Sequence, residues 1–299
     1  MKRKNNKVGK IGVTGNTDKP GFVAAACTVS RLIHQHGFQL EVDHASASVL
    51  EGQLPVKLSA VHPDRRALAK SVDLLIVLGG DGTMLQVAHE VAGVATPILG
   101  VNIGGMGFLT AIPVTDFSLA ILYIKKHEFE LDRRFLVLCE ARVGCQRVSA
   151  IALNEISILR ADIPRLVELE VYIDDEFVTR YRSDGLLVST PTGSTAYSLA
   201  AGGAIIVPGA HVLALTPVCP HTLSNRAMII DADSVVRIRV ASVEVDCILS
   251  ADSQVVGRMV TGDSVIIRHA RRWIQLIQLP GMTFYSTLRM KLHWRGTSI

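Results

Sequence analysis

Val72-Asp73-Leu74-Leu75-Ile76-Val77-Leu78-Gly79-Gly80-Asp81-Gly82-Thr83 is a nearly unbroken apolar run that stops on glycine. Its length and its flanking glycines are those of a buried strand. Met84, Leu85, Val87, Ala88 and Val91 then recur at helical spacing from Thr83 to Val91. Strand, glycine turn and helix follow one another directly. Ligands of open α/β sheets bind beyond the carboxyl ends of strands. Three glycines without Cβ atoms let the backbone approach phosphate oxygens, and the free N–H groups at the helix start favour anions. Asp81 stands where a phosphate would sit. A carboxylate there is costly unless it takes a proton or helps hold a cation, and phosphoryl transfer to a hydroxyl uses both roles. The plainer alternative is a turn in which Asp81 only accepts backbone N–H groups.

Outward from this unit, Ile11-Gly12-Val13 reads as a short strand, Gly21 to His36 as a helix and Phe38 to Val42 as a second strand. Pro97 to Val101 reads as another strand. Buried strands separated by helices predict a parallel sheet covered on both faces. After Asn102 comes Gly104-Gly105-Met106-Gly107-Phe108-Leu109, a second glycine-rich loop at the same sheet edge. It suits either close approach to a ligand or a flexible connection. No G-x-x-x-x-G-K-[ST] occurs, and no G-x-G-x-x-G opens a helix, which excludes a P-loop and the ordinary dinucleotide fingerprint.

The pattern changes near residue 128. Leu136 to Arg142, Leu166 to Ile173, Gly185 to Val188, Ser234 to Val240 and Ser264 to Arg268 are alternating or β-branched runs. Asp174-Asp175 and Thr261-Gly262-Asp263 mark turns between some of them, so an antiparallel, sandwich-like domain is expected. Phe284 to Trp294 reads as a helix returning to the first domain. The reading is therefore α/β plus all-β. An N-terminal parallel α/β nucleotide-binding domain spans 1–127 and is completed by 276–299, and a β-sandwich-like domain spans 128–275.

That second domain carries its own polar clusters. Asn154-Glu155 sets an amide beside a carboxylate, a pair able to hold neighbouring sugar hydroxyls or simply to cap a turn. Arg182-Ser183-Asp184-Gly185 leads through a strand into Thr192-Gly193-Ser194-Thr195-Ala196-Tyr197-Ser198. There Thr192, Ser194, Thr195 and Ser198 crowd hydroxyls at the start of a short helix from about Thr195 to Ala201, fit for capping or for a polar ligand. Tyr197 offers a ring face and a phenolic donor. Asp184 is suited to accept from an amide.

The 299 residues fit two domains. At 48% hydrophobic and 19% charged, the composition supplies a core and argues against disorder. A net charge of +4 makes no case for nucleic-acid binding. Lys2, Arg3, Lys4 and Lys7 read as a solvated tail. The start is too short for a signal peptide, and no apolar run reaches the ~18 residues of a membrane span, so a cytoplasmic protein with no membrane partner is expected. Cys27, Cys139, Cys145, Cys219 and Cys247 include no C-x-x-C pair and read as reduced thiols. His34 and His36 do not share a helix face and read as ordinary histidines.

Taken together and in order, these motifs resemble the NAD kinase family. Pro220-His221-Thr222-Leu223-Ser224 and the tail Phe284-Tyr285 add to the likeness. The Gly-Gly-Asp-Gly piece is shared with diacylglycerol and sphingosine kinases, whereas Thr-Gly-Ser-Thr-Ala-Tyr is much more specific. The resemblance implies two domains, an α/β and a β-rich one, with the site between them. It implies transfer of a phosphoryl group from ATP to the 2′-hydroxyl of the adenosine ribose of NAD⁺, with Asp81 as general base; Mg²⁺ or Mn²⁺ is expected beside the triphosphate. Gly79, Gly80, Gly82, Thr83, Gly104 and Gly105 would form the phosphate loops. Asp81, Gly82, Asn154, Glu155, Arg165, Arg182, Asp184, Thr195, Ala196, Tyr197, Ser198 and Gln254 would face NAD. His221 would lie near a subunit contact of a homodimer or homotetramer. The metal is inferred from phosphate charge and has no ligand motif. Met106, Ala200, Ala204 and Ala227 depart from the residues usual in the family beside its motifs. The rival readings are a lipid kinase with the same glycine loop and an inactive nucleotide sensor.

Overall fold

The protein is represented by a computed structural model that describes residues 8–105, 107–144, 146–161, 165–222, 225–243 and 245–294. Lys2, Arg3, Lys4, Lys7, Met106, Cys145, Leu223 and Ser224 lie outside the described residues. The first elements are β1 (Lys10–Gly15), α1 (Phe22–Gln35), β2 (Gln39–Asp43), α2 (His44–Leu50), β3 (Ala60–His62) and α3 (Arg65–Ser71). Then come β4 (Leu74–Gly79), α4 (Asp81–Val91), β5 (Ile98–Asn102), β6 (Ile112–Pro113) and α5 (Phe117–Lys126). Strands follow: β7 (Glu130–Val143), β8 (Gln146–Ala152), β9 (Glu155–Arg160), β10 (Val167–Ile173), β11 (Glu176–Ser183) and β12 (Gly185–Ser189). After α6 (Tyr197–Ala200) come β13 (Val212–Val218), β14 (Met228–Asp231), β15 (Val236–Val240), β16 (Cys247–Ala251), β17 (Gln254–Met259) and β18 (Ser264–Gln278), and α7 (Phe284–Lys291) is last. The chain divides into two compact units, Met1–Arg133 with Trp273–Ile299, and Arg134–Arg272.

In the first unit the parallel strands lie in the order β3-β2-β1-β4-β5. Leu276, near the end of β18, pairs with Ile98 of β5. Every residue of β4 is buried. Leu74, Ile76 and Leu78 pack with Phe22, Val29 and Ile33 of α1 and with Phe117, Ile121 and Ile124 of α5. Leu75 and Val77 point to the opposite face and are equally hidden, as the two-residue period of a doubly covered strand requires. Strand order reverses between β1 and β4. A ligand is therefore expected beyond their carboxyl ends, where the chain runs through Asn16–Gly21 and Gly79–Thr83.

The second unit has two antiparallel sheets. One contains β11-β10-β15-β18, with the β7–β8 hairpin attached to β18; the other runs β14-β13-β12-β9-β16-β17. Val137, Leu169, Ile238 and Ile267 from the first share one core with Ile156, Leu186, Leu215 and Leu249 from the second. That is the expected sandwich. Register in the second sheet decides what meets what. Ser189 pairs with Glu155, and Ala251 with Ile156. The chain just after β12, just before β9 and just after β16 therefore converges at one edge.

Candidate active site

In the first unit β4 ends at Gly79, and Gly80 caps α4 in an extended conformation with Asp81 in the first turn. The half-buried Asp81 carboxylate accepts the backbone N–H of Phe108 at 2.8 Å and of Leu109 at 3.0 Å. A Cβ at position 107 would overlap Asp81 Oδ1, so the approach of the two loops requires Gly107. Thr83, nearly buried, packs its side chain over Gly79, where a Cβ would not fit. Asn102 organises the second loop from below. Its amide donates to the Gly105 carbonyl at 2.6 Å and to Thr110 Oγ1 at 3.1 Å, and its carbonyl takes the Gly104 N–H at 2.5 Å. Gly82, Gly104 and Gly105 are exposed.

Lys19, in the β1–α1 loop, belongs to no sequence motif. Its ammonium lies 3.6 Å from where a side chain on Gly80 would begin and 3.4 Å from the same point on Gly104. A cation thus stands beside both glycine loops at the reversal of strand order. With the N-terminus of α4 it makes a place suited to anionic oxygens.

In the second unit Asn154 and Glu155 enter β9 under the control of Asp252. This carboxylate, in the β16–β17 turn, accepts the N–H groups of Leu153 at 2.7 Å, Asn154 at 2.8 Å and Glu155 at 3.1 Å. The Thr190 N–H returns to the Asn154 carbonyl at 2.8 Å, and Gly193 sits so close to the Asn154 backbone that a Cβ would overlap it. Asn154, Glu155 and the Thr190–Ser194 turn are therefore one assembly. Glu155 is buried, and its Oε2 has no hydrogen-bond partner among the described residues. Burial, and then the negative charge of Asp252, push its carboxyl up to about 7. A buried oxygen without a partner is one that a ligand hydroxyl can satisfy.

The hydroxyl-rich segment is used unevenly. Ser194 donates to the Pro191 carbonyl at 2.6 Å and accepts the Ile206 N–H at 3.0 Å. Ser198, fully buried, bonds Thr216 Oγ1 at 2.9 Å. Thr192 accepts from the nearly buried Arg134 at 3.2 Å, and Thr195 donates to the Thr192 carbonyl. These bonds fix the turn, a 3₁₀ segment Gly193–Thr195 followed by α6. Thr195 and Ala196 are partly exposed and Tyr197 is exposed. Asp184 is a third exposed and forms an ion pair with Arg160 at 2.8 Å, a partner the sequence did not suggest. Arg165, Arg182, His221 and Gln254 are exposed, and the His221 N–H bonds the Arg182 carbonyl.

Cys27, Cys139, Cys219 and Cys247 are all free thiols. Burial raises the Cys139 and Cys247 thiols, the latter to about 12, which makes both inert. Among the described residues no helix is long and apolar enough to cross a membrane. Also among them, the one grouping of three His, Cys, Asp or Glu side chains close enough to hold a metal is His211, Asp233 and His269, in the second unit.

Residues 11–129 match the ATP-NAD kinase N-terminal domain, and residues 153–279 match the ATP-NAD kinase C-terminal domain. An NAD kinase of Syntrophotalea carbinolica is 39% identical over 286 residues, covering 95% of this chain and 98% of that protein. One from Heliobacterium modesticaldum is 37% identical over 285 residues, covering 94% and 98%. Among solved structures, yeast NADH kinase complexed with NADH has a TM-score of 0.86 at 25% identity, covering 99% of this chain and 90% of that one. An NAD kinase from Archaeoglobus fulgidus in complex with ATP shares the fold, with a TM-score of 0.72 at 20% identity and coverage of 96% and 100%. A glycine-flanked acid on a parallel sheet, a buried carboxylate on a sandwich edge and relatives aligned over nearly the whole length lead to one conclusion: the chain belongs to the NAD kinase family.

Proposed function

We propose that this NAD kinase passes the γ-phosphoryl group of ATP to the 2′-hydroxyl of the adenosine ribose of NAD⁺, giving NADP⁺ and ADP, with Asp81 taking the hydroxyl proton. The observation that carries the reading is the place of Asp81, at the start of α4 and between two glycine loops that share Lys19. An ionised carboxylate has about four lone-pair positions, and two backbone N–H groups occupy two of them. The rest can accept a ribose hydroxyl. As the oxygen attacks phosphorus, its proton passes to Asp81 and ADP departs.

On this reading Gly79, Gly80, Gly82, Thr83, Gly104, Gly105 and Lys19 hold the triphosphate. A divalent cation, Mg²⁺ or Mn²⁺, would supply positive charge that offsets that of the triphosphate. Asn154 and the orphan oxygen of Glu155 take sugar hydroxyls. Thr195, Ala196 and Tyr197 offer a surface for adenine on a turn anchored by Ser198, while Asp184, Arg165, Arg182 and Gln254 face the remainder of the dinucleotide. The yeast relative's complex with NADH and the archaeal relative's complex with ATP support this choice of substrates. The test is product analysis of purified protein with NAD⁺, ATP and Mg²⁺, with diacylglycerol offered in parallel. NADP⁺ is the expected product. Phosphorylated lipid, or no NADP⁺, overturns the reading.

A further inference from the structure

We propose that His211, Asp233 and His269, all in the second unit, form a binding site for a borderline divalent metal ion such as Zn²⁺. His211 immediately precedes β13, Asp233 lies in the β14–β15 turn and His269 is on β18. Residues far apart in sequence thus converge. His211 Nε2 is 3.2 Å from an Asp233 carboxylate oxygen, His269 Nδ1 is 3.8 Å from the same oxygen, and the three ligating atoms all lie within 4.8 Å of one another. Ligands about 2.0–2.1 Å from a tetrahedral zinc lie about 3.3 Å apart. The first separation already matches, and small side-chain rotations close the others.

His211 and Asp233 are exposed and His269 is partly buried, and the two rings pack on Phe135. Phe135 meets His269 edge-on at 4.8 Å and His211 at 5.8 Å, and the two imidazoles are perpendicular to each other at 5.5 Å. The supporting loops are also joined, because the Ala232 N–H donates to the His211 carbonyl at 3.2 Å and the Asp233 N–H donates to Asp231 at 2.8 Å. Two imidazole nitrogens with one carboxylate oxygen suit Zn²⁺ and its neighbours, whereas Mg²⁺ and Ca²⁺ favour oxygen-only sets. Three protein ligands leave a fourth position open. Asp233 and His269 also line a cavity of about 940 Å³ rimmed by Arg268, Arg271 and Arg272, so water or a small anion completes the shell.

The test uses the full chain, stripped with EDTA and desalted. Zn²⁺ is titrated by calorimetry, and Co²⁺ is added separately as a spectroscopic probe. The expected result is one micromolar or tighter Zn²⁺ site per chain and intense visible absorption from tetrahedral Co²⁺. His211→Gln and Asp233→Asn are each expected to weaken Zn²⁺ at least about tenfold. Both should leave the metal-free melting temperature and NADP⁺ formation in Mg²⁺ unchanged. Absence of a stoichiometric site in the unaltered protein, or binding undiminished in either variant, overturns the proposal. The Co²⁺ spectrum of the unaltered chain decides the matter even if a variant misfolds.

Discussion

The carboxylate of Asp81 accepts the backbone N–H of Phe108 at 2.8 Å, which ties the acid that opens α4 to the turn following β5. Leu109 supplies a second N–H, and Gly107 leaves the space. The simple turn reading of Gly-Asp-Gly thus describes part of what Asp81 does, with the amides coming from the other glycine loop rather than from its own. Adding a methyl at position 107 must push the carboxylate and loop apart. Gly107→Ala is expected to lower kcat for NADP⁺ formation about 100-fold, the scale of an ångström-sized misplacement of a catalytic group. Steady-state kinetics on the folded variant checks this, and unchanged kcat refutes the coupling.

Lys19 tests the phosphate side separately. One charge-assisted hydrogen bond is worth about 1.5–3 kcal/mol, so Lys19→Met should raise KM for ATP by about 10- to 100-fold. The KM for NAD⁺ and the melting temperature should stay nearly unchanged. A shift confined to the NAD⁺ KM would place the lysine on the wrong substrate.

Glu155 predicts a pH dependence of stability. Its carboxyl is raised from the usual carboxylate range to about 7 in the folded chain, first by burial and then by Asp252. The native state therefore keeps a proton that the unfolded chain releases. This contribution is complete below about pH 4.5, declines as pH rises toward 7 and is gone above it, an effect of at most a few kcal/mol. Glu155→Gln should flatten that segment of the curve and raise the melting temperature at pH 8 relative to the unaltered protein. Denaturant unfolding at pH 5 and pH 8 is the measurement, and identical pH profiles for the two proteins contradict it.

Elements with a long, pure periodicity were legible in the sequence. β4 is a run of buried apolar residues, and α1 repeats its apolar positions over 14 residues, so both read directly. The helices α2 and α3, seven residues each, are too short for a period to emerge, and α2 is built largely of Ala and Ser. β18 extends to Gln278, ten residues beyond Arg268, where the sequence reading ends the strand, because His269, Arg271 and Arg272 interrupt the alternation. At the site, glycine loops and the Asn154-Glu155 pair are local motifs and could be read. Asp252 and Lys19 belong to no local motif, since only strand order and register bring them to Glu155 and to the glycine loops. The hydroxyl cluster announced itself, yet the sequence could not show that Ser194 and Ser198 turn inward to fix the fold.

The most direct test is the turnover of Asp81→Asn with NAD⁺, ATP and Mg²⁺, followed as NADP⁺ formed per chain alongside its melting temperature. Asparagine keeps one acceptor oxygen for the loop amides but cannot take the hydroxyl proton. The account predicts a folded protein whose kcat falls by a factor on the order of 10² to 10⁴. A folded variant that turns over at close to the normal rate would contradict it.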